Sequence, residues 1–336
     1  MFGKPPTQFF EVRLSSVVPS VPLEYDLYIQ INGKAVLFRR RGDTLTADRM
    51  KVLVNNGGDR FTVPEDQRAL YLGSLRHVIK DPGSTVNEVA RFIKESAYLH
   101  VHDLFHRPVL NEAMSDVRTL VEDMVDLVSA NVEAVSSLMR LSSHDYYTYN
   151  HCVNVSVYAI ALAKKIYGDD RDKLIAAGLG GMLHDLGKRD VGWQIINKAG
   201  PLTPEEWQEI KKHPVYGREA LAGLSFVSEP TRLIVYEHHE NFDGTGYPNS
   251  RRGDEISPLA RLVAIADVFD ALTTDRSYHR AMPSQQAIET MFRMQPGKFD
   301  PEVFQRFNRH FERKPHAILS ADFDPCTPNL VKKKAA

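Results

Sequence analysis

The chain has 336 residues, about two domains' worth at the usual domain size, and its 42 Lys and Arg against 43 Asp and Glu leave a net charge of −1. That balance excludes a protein that coats nucleic acid through a large basic excess, and 43% apolar residues exclude a wholly disordered chain. Two distant cysteines exclude a disulfide framework and a thiolate zinc site. No secretory signal or membrane-length apolar run is evident, so we expect a cytoplasmic protein that binds neither membranes nor nucleic-acid polymers.

The first part of the chain predicts a small α+β domain over residues 1–105. Residues 25–31 are β-prone, Asn32-Gly33 is typical of a hairpin turn, and residues 35–38 follow as a second strand. Thr46 or Asp48 is expected to cap a helix that reaches residue 54, and the sequence RFTV predicts a third strand. Three arginines at 39–41 could hold an anion, although a solvated strand end is the commoner meaning of such a run.

A helical region follows this domain. Residues 84–105 predict a connecting helix, and residues 106–145 a linker built on one long amphipathic helix over 109–141, where apolar residues recur at threes and fours. That helix could pack on its own domain or on a second copy in a homodimer, and the sequence leaves both open.

From residue 146 to 320 the pattern is helical throughout, so the predicted fold class is mainly α. Asp172 is expected to cap a helix that runs to residue 186, and the capping box that begins at Thr203 starts another. Further helices are predicted over 230–240, 257–273 and 284–294. Residues 321–336 are expected to form a C-terminal tail.

Polar residues recur inside these apolar helices. The pair His184-Asp185 ends the helix GLGGMLHDLG, and Asp267 lies in LVAIADVFDAL. A buried ionised carboxylate is costly unless it is paired or binds a metal. Histidines from other segments offer a shared solution, because imidazole and carboxylate groups together ligate divalent metals. The alternative is that each of these polar residues is buried with its own hydrogen-bond partner, which would require a separate explanation for each residue.

Residues 147–311 resemble an HD-GYP domain, the cyclic di-GMP phosphodiesterase branch of the HD superfamily. The resemblance rests on the motifs TYNHCVNVSVYA, LHDLGK, KAGPLTPEEW, HPVYG, HHENFDGTGYP, ARLVAIADVFDALTTDRSY and GKFDP, which occur in family order. It covers about half of the chain. It implies an HD-type helical bundle, preceded here by the α+β domain, that hydrolyses cyclic di-GMP to pGpG, and on to GMP in some members, through a metal-bridging hydroxide.

The resemblance also implies a metal centre. The matching ligands are His151, His184, Asp185, His213, His238, His239 and Asp267, with Asp185 as the bridging carboxylate and His239 as the most variable ligand. Tyr147 stands where three-metal members carry glutamate, so two divalent ions are expected. Fe or Mn is favoured by the resemblance alone, because the ligand types suit Zn, Co or Ni about equally.

Asp185 and Lys188 are the expected catalytic residues, and Lys188 matches the lysine that approaches the substrate phosphate. The expected substrate-binding residues are Lys188, Arg276, Arg280, Gly246 and Tyr247. Tyr247 could stack on a guanine, face a partner signalling protein, or belong to a loop that is only a rigid turn. Two other functions stay open: a cyclic di-GMP receptor with slow or absent turnover, and an HD hydrolase that acts on another cyclic dinucleotide.

Overall fold

The computed structural model describes residues 8–106, 110–131, 133–139, 147–198, 200–274 and 281–312. The described residues form two compact units, which divide between Glu95 and Ser96. The first contains a small antiparallel sheet with helices, and the second is helical. The predicted fold class, a mainly α protein with a small α+β portion at its N-terminus, is confirmed.

The first unit is built on a four-stranded sheet with the order β1-β4-β2-β3. Its strands and helices are β1 (Phe9–Arg13), β2 (Leu27–Ile31), β3 (Lys34–Arg39), α1 (Ala47–Asn55), β4 (Arg60–Pro64) and α2 (Arg68–Lys80). Asn32 and Gly33 have φ angles of 50° and 74°, as the predicted β2–β3 hairpin requires. Thr46 is the N-cap of α1, since its side chain accepts a hydrogen bond from the backbone N–H of Arg49.

Helix α3 (Val86–His106) contains the point at which the two units divide, and the domain boundary expected at residue 105 stays a prediction. The helices that follow are α4 (Asn111–Ala130), α5 (Ala134–Met139), α6 (Tyr147–Tyr167), α7 (Arg171–Leu183), α8 (Trp193–Ile196), α9 (Pro204–Ile210), α10 (His213–Leu221), α11 (Glu229–Glu237), α12 (Pro258–Thr273), α13 (Ser284–Lys298) and α14 (Pro301–Glu312). Backbone angles at Pro296 and Gly297 put a kink near the end of α13.

The long helix predicted over residues 109–141 is interrupted in the structure. Helix α4 ends at Ala130, and Asn131 adopts extended angles, with its side-chain amide donating to the carbonyl of Leu127 at 3.1 Å. A short amide side chain can satisfy a helix-end carbonyl in this way, which favours termination. The predicted apolar stripe of α4, including Val117, Val121 and Met124, is buried and packs on α6 and α7 of the same chain.

Helices α6 and α7 form the centre of the second unit, and α7 differs from expectation at both of its ends. Asp170 caps α7 in place of the predicted Asp172, because the Asp170 carboxylate accepts from the backbone N–H of Lys173. The helix ends at Leu183, and a 3-10 turn over Leu186–Asp190 follows. Among the described helices, none combines the length and apolar character needed to cross a bilayer. The predicted tail at 321–336 lies outside the described residues.

Candidate metal centre

Five segments of the helical unit bring their polar residues to one buried point. The seven predicted ligands are His151 in α6, His184 at the C-terminus of α7, Asp185 directly after it, His213 at the start of α10, His238 and His239 after α11, and Asp267 in α12. His151, His184, Asp185, His213 and His238 are each at most 3% exposed. The pattern of polar residues in apolar helices therefore corresponds to a single interior cluster.

Glycine makes this convergence possible at the turn after α7. Gly187 lies so close to α10 that a Cβ atom there would stand 2.0 Å from the carbonyl oxygen of His213 and 2.4 Å from the backbone nitrogen of Gly217. Both neighbours are backbone atoms, so no side-chain rotation could relieve the contact. The glycine of the LHDLGK motif thus lets the turn that carries Asp185 approach the helix that begins with His213.

The ring orientations of three histidines are fixed by their own helix ends. Each Nδ1 atom lies at hydrogen-bond distance from the carbonyl oxygen three residues earlier: His184 to Gly181 at 2.7 Å, His213 to Ile210 at 2.8 Å, and His238 to Val235 at 2.9 Å. A carbonyl oxygen only accepts, so each Nδ1 must donate. In the neutral rings, the three Nε2 atoms therefore carry lone pairs.

These three lone pairs face other acceptors. The Nε2 atoms of His213 and His238 are 3.1 Å apart, although neither has a proton to share when both rings are neutral. His213 Nε2 lies 3.5 Å from Asp185 Oδ1, and the Nε2 atom of His184 lies 3.4 Å from Asp185 Oδ2. The buried His184 Nε2 has no hydrogen-bond partner among the described residues. Buried lone pairs that face one another are stable only if cations lie between them. Neutral imidazole nitrogens and carboxylate oxygens are common ligands of divalent metals.

Asp185 belongs to both of the candidate ligand groups. One group consists of Asp185, His213, His238 and His239, and the other of His151, His184 and Asp185; within each group the ligand atoms all lie within 4.8 Å of one another. Asp267 lies at the second group, with Oδ1 3.1 Å from His151 Nε2 and 3.9 Å from His184 Nε2. A carboxylate has two oxygens, so this arrangement fits two divalent ions that share Asp185.

The protonation equilibria suit metal binding in the first group. Burial lowers the pKa of His213 to about 4 and that of His239 to about 3, so both rings are neutral at pH 7. Burial also lowers the pKa of His238, and the neighbouring His239 ring acts in the same direction. Burial alone would raise the pKa of Asp185, but Lys188 and His184 hold it well below its usual range.

His151 is held by residues that the sequence analysis did not single out. Its Nδ1 lies 2.7 Å from Asp270 Oδ2, and Asp270 Oδ1 accepts from the side-chain amide of Asn154 at 2.9 Å. Burial would lower the pKa of His151, but Asp267 and Asp270 together raise it to about 9. The spacing in the sequence could have indicated Asp270, because it follows Asp267 by three residues and so lies on the same face of the helix.

We expect Asp270→Asn to weaken metal binding by ~10–100-fold, the usual cost of losing a carboxylate that orients a ligand histidine. The variant keeps the shape of the side chain but removes the charge that His151 Nδ1 faces. Metal titration followed by calorimetry would measure the change. Asp126→Asn is the control, because Asp126 is an exposed carboxylate that pairs with Arg171. Equal affinities in the two variants would contradict this orienting role.

The GYP loop, which is the DGTGYP motif at residues 243–248, places an aromatic ring against the cluster. The ring of Tyr247 packs on that of His239, with centroids 4.7 Å apart and planes inclined by 30°. The Tyr247 backbone N–H donates to the carbonyl of His239 at 3.2 Å. Gly246 permits this path, since a Cβ there would stand 2.2 Å from the backbone nitrogen of Asn241. The two predicted loop residues, Gly246 and Tyr247, therefore lie beside the metal ligands.

Three carboxylates hold the backbone of this loop and of the residues that follow it. Buried Glu240 accepts from the backbone N–H groups of Asn249 at 2.7 Å and Arg251 at 3.0 Å. Glu237 accepts from the Ser257 backbone N–H at 2.7 Å and pairs with Arg251. Asp243 accepts hydrogen bonds from the backbone N–H and the side-chain hydroxyl of Thr245, within the loop itself.

Lys188 lies next to the shared carboxylate, with Nζ 2.6 Å from Asp185 Oδ2. Its side chain is 30% exposed, so it stands between the buried cluster and solvent. The Asp185 carboxylate raises the Lys188 pKa against the opposing effect of burial. The other two predicted substrate-binding cations, Arg276 and Arg280, lie outside the described residues.

Known proteins match this chain in sequence and in fold. A family model described as "HD domain" matches residues 122–303. A cyclic di-GMP phosphodiesterase of Pseudomonas aeruginosa is 42% identical over 190 residues, which cover 55% of this chain and 45% of that protein. A 3′3′-cGAMP-specific phosphodiesterase of Vibrio cholerae is 38% identical over 158 residues, 47% of this chain and 34% of that protein. The chain thus covers less than half of either relative.

A solved structure extends the likeness to most of the chain. An HD-GYP protein from Bdellovibrio bacteriovorus superposes with a TM-score of 0.71 and 25% identity, over 91% of this chain and all of that one. A helical bundle with clustered histidines and aspartates at its centre defines an HD-type domain. The chain belongs to the HD domain family, and the resemblance to its HD-GYP branch is confirmed.

Proposed function

We propose that this protein is a metal-dependent phosphodiesterase that opens cyclic di-GMP to linear pGpG. The observation that carries the proposal is the buried set of acceptor atoms around Asp185, which offers two groups of metal ligands beside a partly exposed lysine. Relatives named as cyclic di-GMP phosphodiesterases supply the substrate class. We propose the seven residues described above as the ligands of two divalent ions, with Fe or Mn preferred.

When bound, divalent cations bind phosphate oxygens and lower the pKa of a coordinated water. Water then adds to phosphorus while the bond from phosphorus to the ribose 3′ oxygen breaks, and a proton goes to that oxygen. Lys188 stabilises the negative charge on the phosphoryl oxygens, because its ammonium group lies at the solvent-facing edge of the cluster. Arg276 and Arg280 are proposed to bind the remainder of the substrate, and a second hydrolysis would give GMP.

A second substrate deserves a direct test, because relatives named 3′3′-cGAMP-specific phosphodiesterases also match the chain. That substrate differs from cyclic di-GMP in one of its two bases, so the metal centre would bind the phosphodiesters of both in the same way.

A homodimer and a signalling partner at the GYP loop stay predictions from the sequence. The intact ligand set argues against the receptor without turnover.

The test is an assay of purified protein loaded with Mn²⁺ or Fe²⁺ in the absence of oxygen. We expect cyclic di-GMP to give pGpG, and chelation followed by readdition of metal to remove and restore the activity. Running 3′3′-cGAMP in parallel ranks the two substrates by kcat/KM. Absence of turnover of both dinucleotides with every metal tried would overturn the proposal and leave the receptor function.

A further inference from the structure

A row of stacked side chains leads from the metal cluster to the surface. His239 packs on Tyr247, and the ammonium group of Lys211 lies 5.5 Å from the centroid of the Tyr247 ring. The same ammonium lies 5.9 Å from the ring of Trp207, one turn earlier in the chain. Both distances fall within the range of cation–π attraction. Lys211 is therefore held between a loop aromatic and a helix aromatic, beside the metal ligands.

Lys211 differs from the other lysines of this region in its partners. Lys212 pairs with Glu209 at 2.6 Å, and Lys198 pairs with Glu206 at the same distance. Among the described carboxylates, none forms an ion pair with Lys211. Two aromatic faces position its charge without neutralising it, so it can take an anion.

Trp207 is unusual because a large aromatic side chain stands 45% exposed at this position. His239 and Tyr247 are half-buried, whereas His213 and His238 are buried. Ligands that reach the metal centre past Tyr247 therefore meet Lys211 and Trp207 next.

We infer that Trp207 and Lys211 form an outer subsite that binds the half of a cyclic dinucleotide that is not being cleaved. The inference rests on the proposed function. A cyclic dinucleotide has two phosphodiesters and two purines, and the metal centre engages one phosphodiester. The ammonium group of Lys211 binds the other phosphate, and the ring of Trp207 stacks on one of the bases. The two residues therefore give the protein a higher affinity for a cyclic dinucleotide than for a simple phosphodiester.

The test compares matched variants on two substrates. Lys211→Met and Trp207→Ala are each expected to raise the KM for cyclic di-GMP about tenfold, with kcat within twofold. For Trp207 the reason is the loss of one stacked base, and for Lys211 it is the loss of a hydrogen bond to a charged phosphate. Lys212→Met is the control for Lys211, since its charge is already paired, and Trp207→Phe should keep most of the affinity. Hydrolysis of methyl 4-nitrophenyl phosphate, a diester with no nucleobase, should be unchanged in all four variants.

A binding measurement makes the result independent of turnover. Trp193 and Trp207 are the two tryptophans of the chain, so Trp193→Phe leaves Trp207 as the only indole. On rapid mixing with cyclic di-GMP, before turnover, we expect its fluorescence to be quenched, and Lys211→Met in that background to need about tenfold more ligand. Quenching without hydrolysis would support the subsite and refute the phosphodiesterase. Hydrolysis with unchanged KM in Lys211→Met and Trp207→Ala, or no quenching, would overturn the subsite.

Discussion

Replacing Asp185 with alanine is expected to abolish the proposed phosphodiesterase turnover, with a loss of about a thousandfold or more. Removal of one charge-stabilising group at an active site already costs ~10²–10³-fold, and Asp185 belongs to both candidate ligand groups at once. Its loss removes a donor from each proposed ion and leaves Lys188 without the carboxylate it now binds. The effect should therefore exceed that of removing a ligand which belongs to one group only.

Metal content and stability distinguish this result from simple misfolding. Elemental analysis should show fewer than two ions per chain in Asp185→Ala. Metal at 100 times its Kd should stabilise the wild-type protein by about 2.7 kcal/mol, and the variant by much less. Asp190→Ala is the control, because Asp190 ends the same turn but is exposed. Wild-type metal content and activity in Asp185→Ala would contradict the assignment.

Gly187→Ala is expected to destabilise the protein by about 3 kcal/mol and to lower activity. Overpacking typically costs 1–3 kcal/mol when neighbours can adjust, and here the added Cβ meets the backbone of His213 and Gly217. Relief of the contact requires the turn after α7 to move away from α10. That movement would separate Asp185 from His213, so metal affinity should fall together with the free energy of unfolding.

Urea unfolding followed by circular dichroism would measure the change in free energy, and metal titration the change in affinity. Gly223→Ala is the matched control, because a Cβ at Gly223 meets no atom within 4 Å. We expect Gly223→Ala to unfold within about 1 kcal/mol of wild type, as surface changes of glycine usually do. Equal free energies of unfolding for Gly187→Ala and Gly223→Ala would contradict the prediction, because they would show that the turn after α7 moves without cost.

The cluster could be predicted from the sequence because charged residues occur inside apolar helices. Asp185 and Asp267 are carboxylates in apolar helices, and only a shared partner explains both. The motifs then supplied the remaining residues by resemblance. The sequence could not show which oxygen faces which ring, because Asp185 and His213 meet only through the packing of separate helices. Asp270, Glu237 and Glu240 were missed because each acts through a backbone group or another side chain.

The differences in the fold have local physical causes. Strand β1 was missed because its pairing partner β4 lies about fifty residues later in the chain, and short apolar stretches are ambiguous without their partners. The break at Asn131 was missed because the apolar stripe of α4 continues into α5, so periodicity alone predicts one helix. Asp170 and Asp172 are both suitable caps by residue type, and only the hydrogen bond to Lys173 distinguishes them.

The backbone contacts of His184, His213 and His238 have a consequence for protein design. Each imidazole is oriented by a carbonyl from its own turn, so each histidine and its preceding three residues form a self-contained unit. Such units could be transplanted onto the helix ends of an unrelated scaffold with their ring directions intact. The scaffold would then have to supply only the spacing between helix ends, with one small residue at their closest approach.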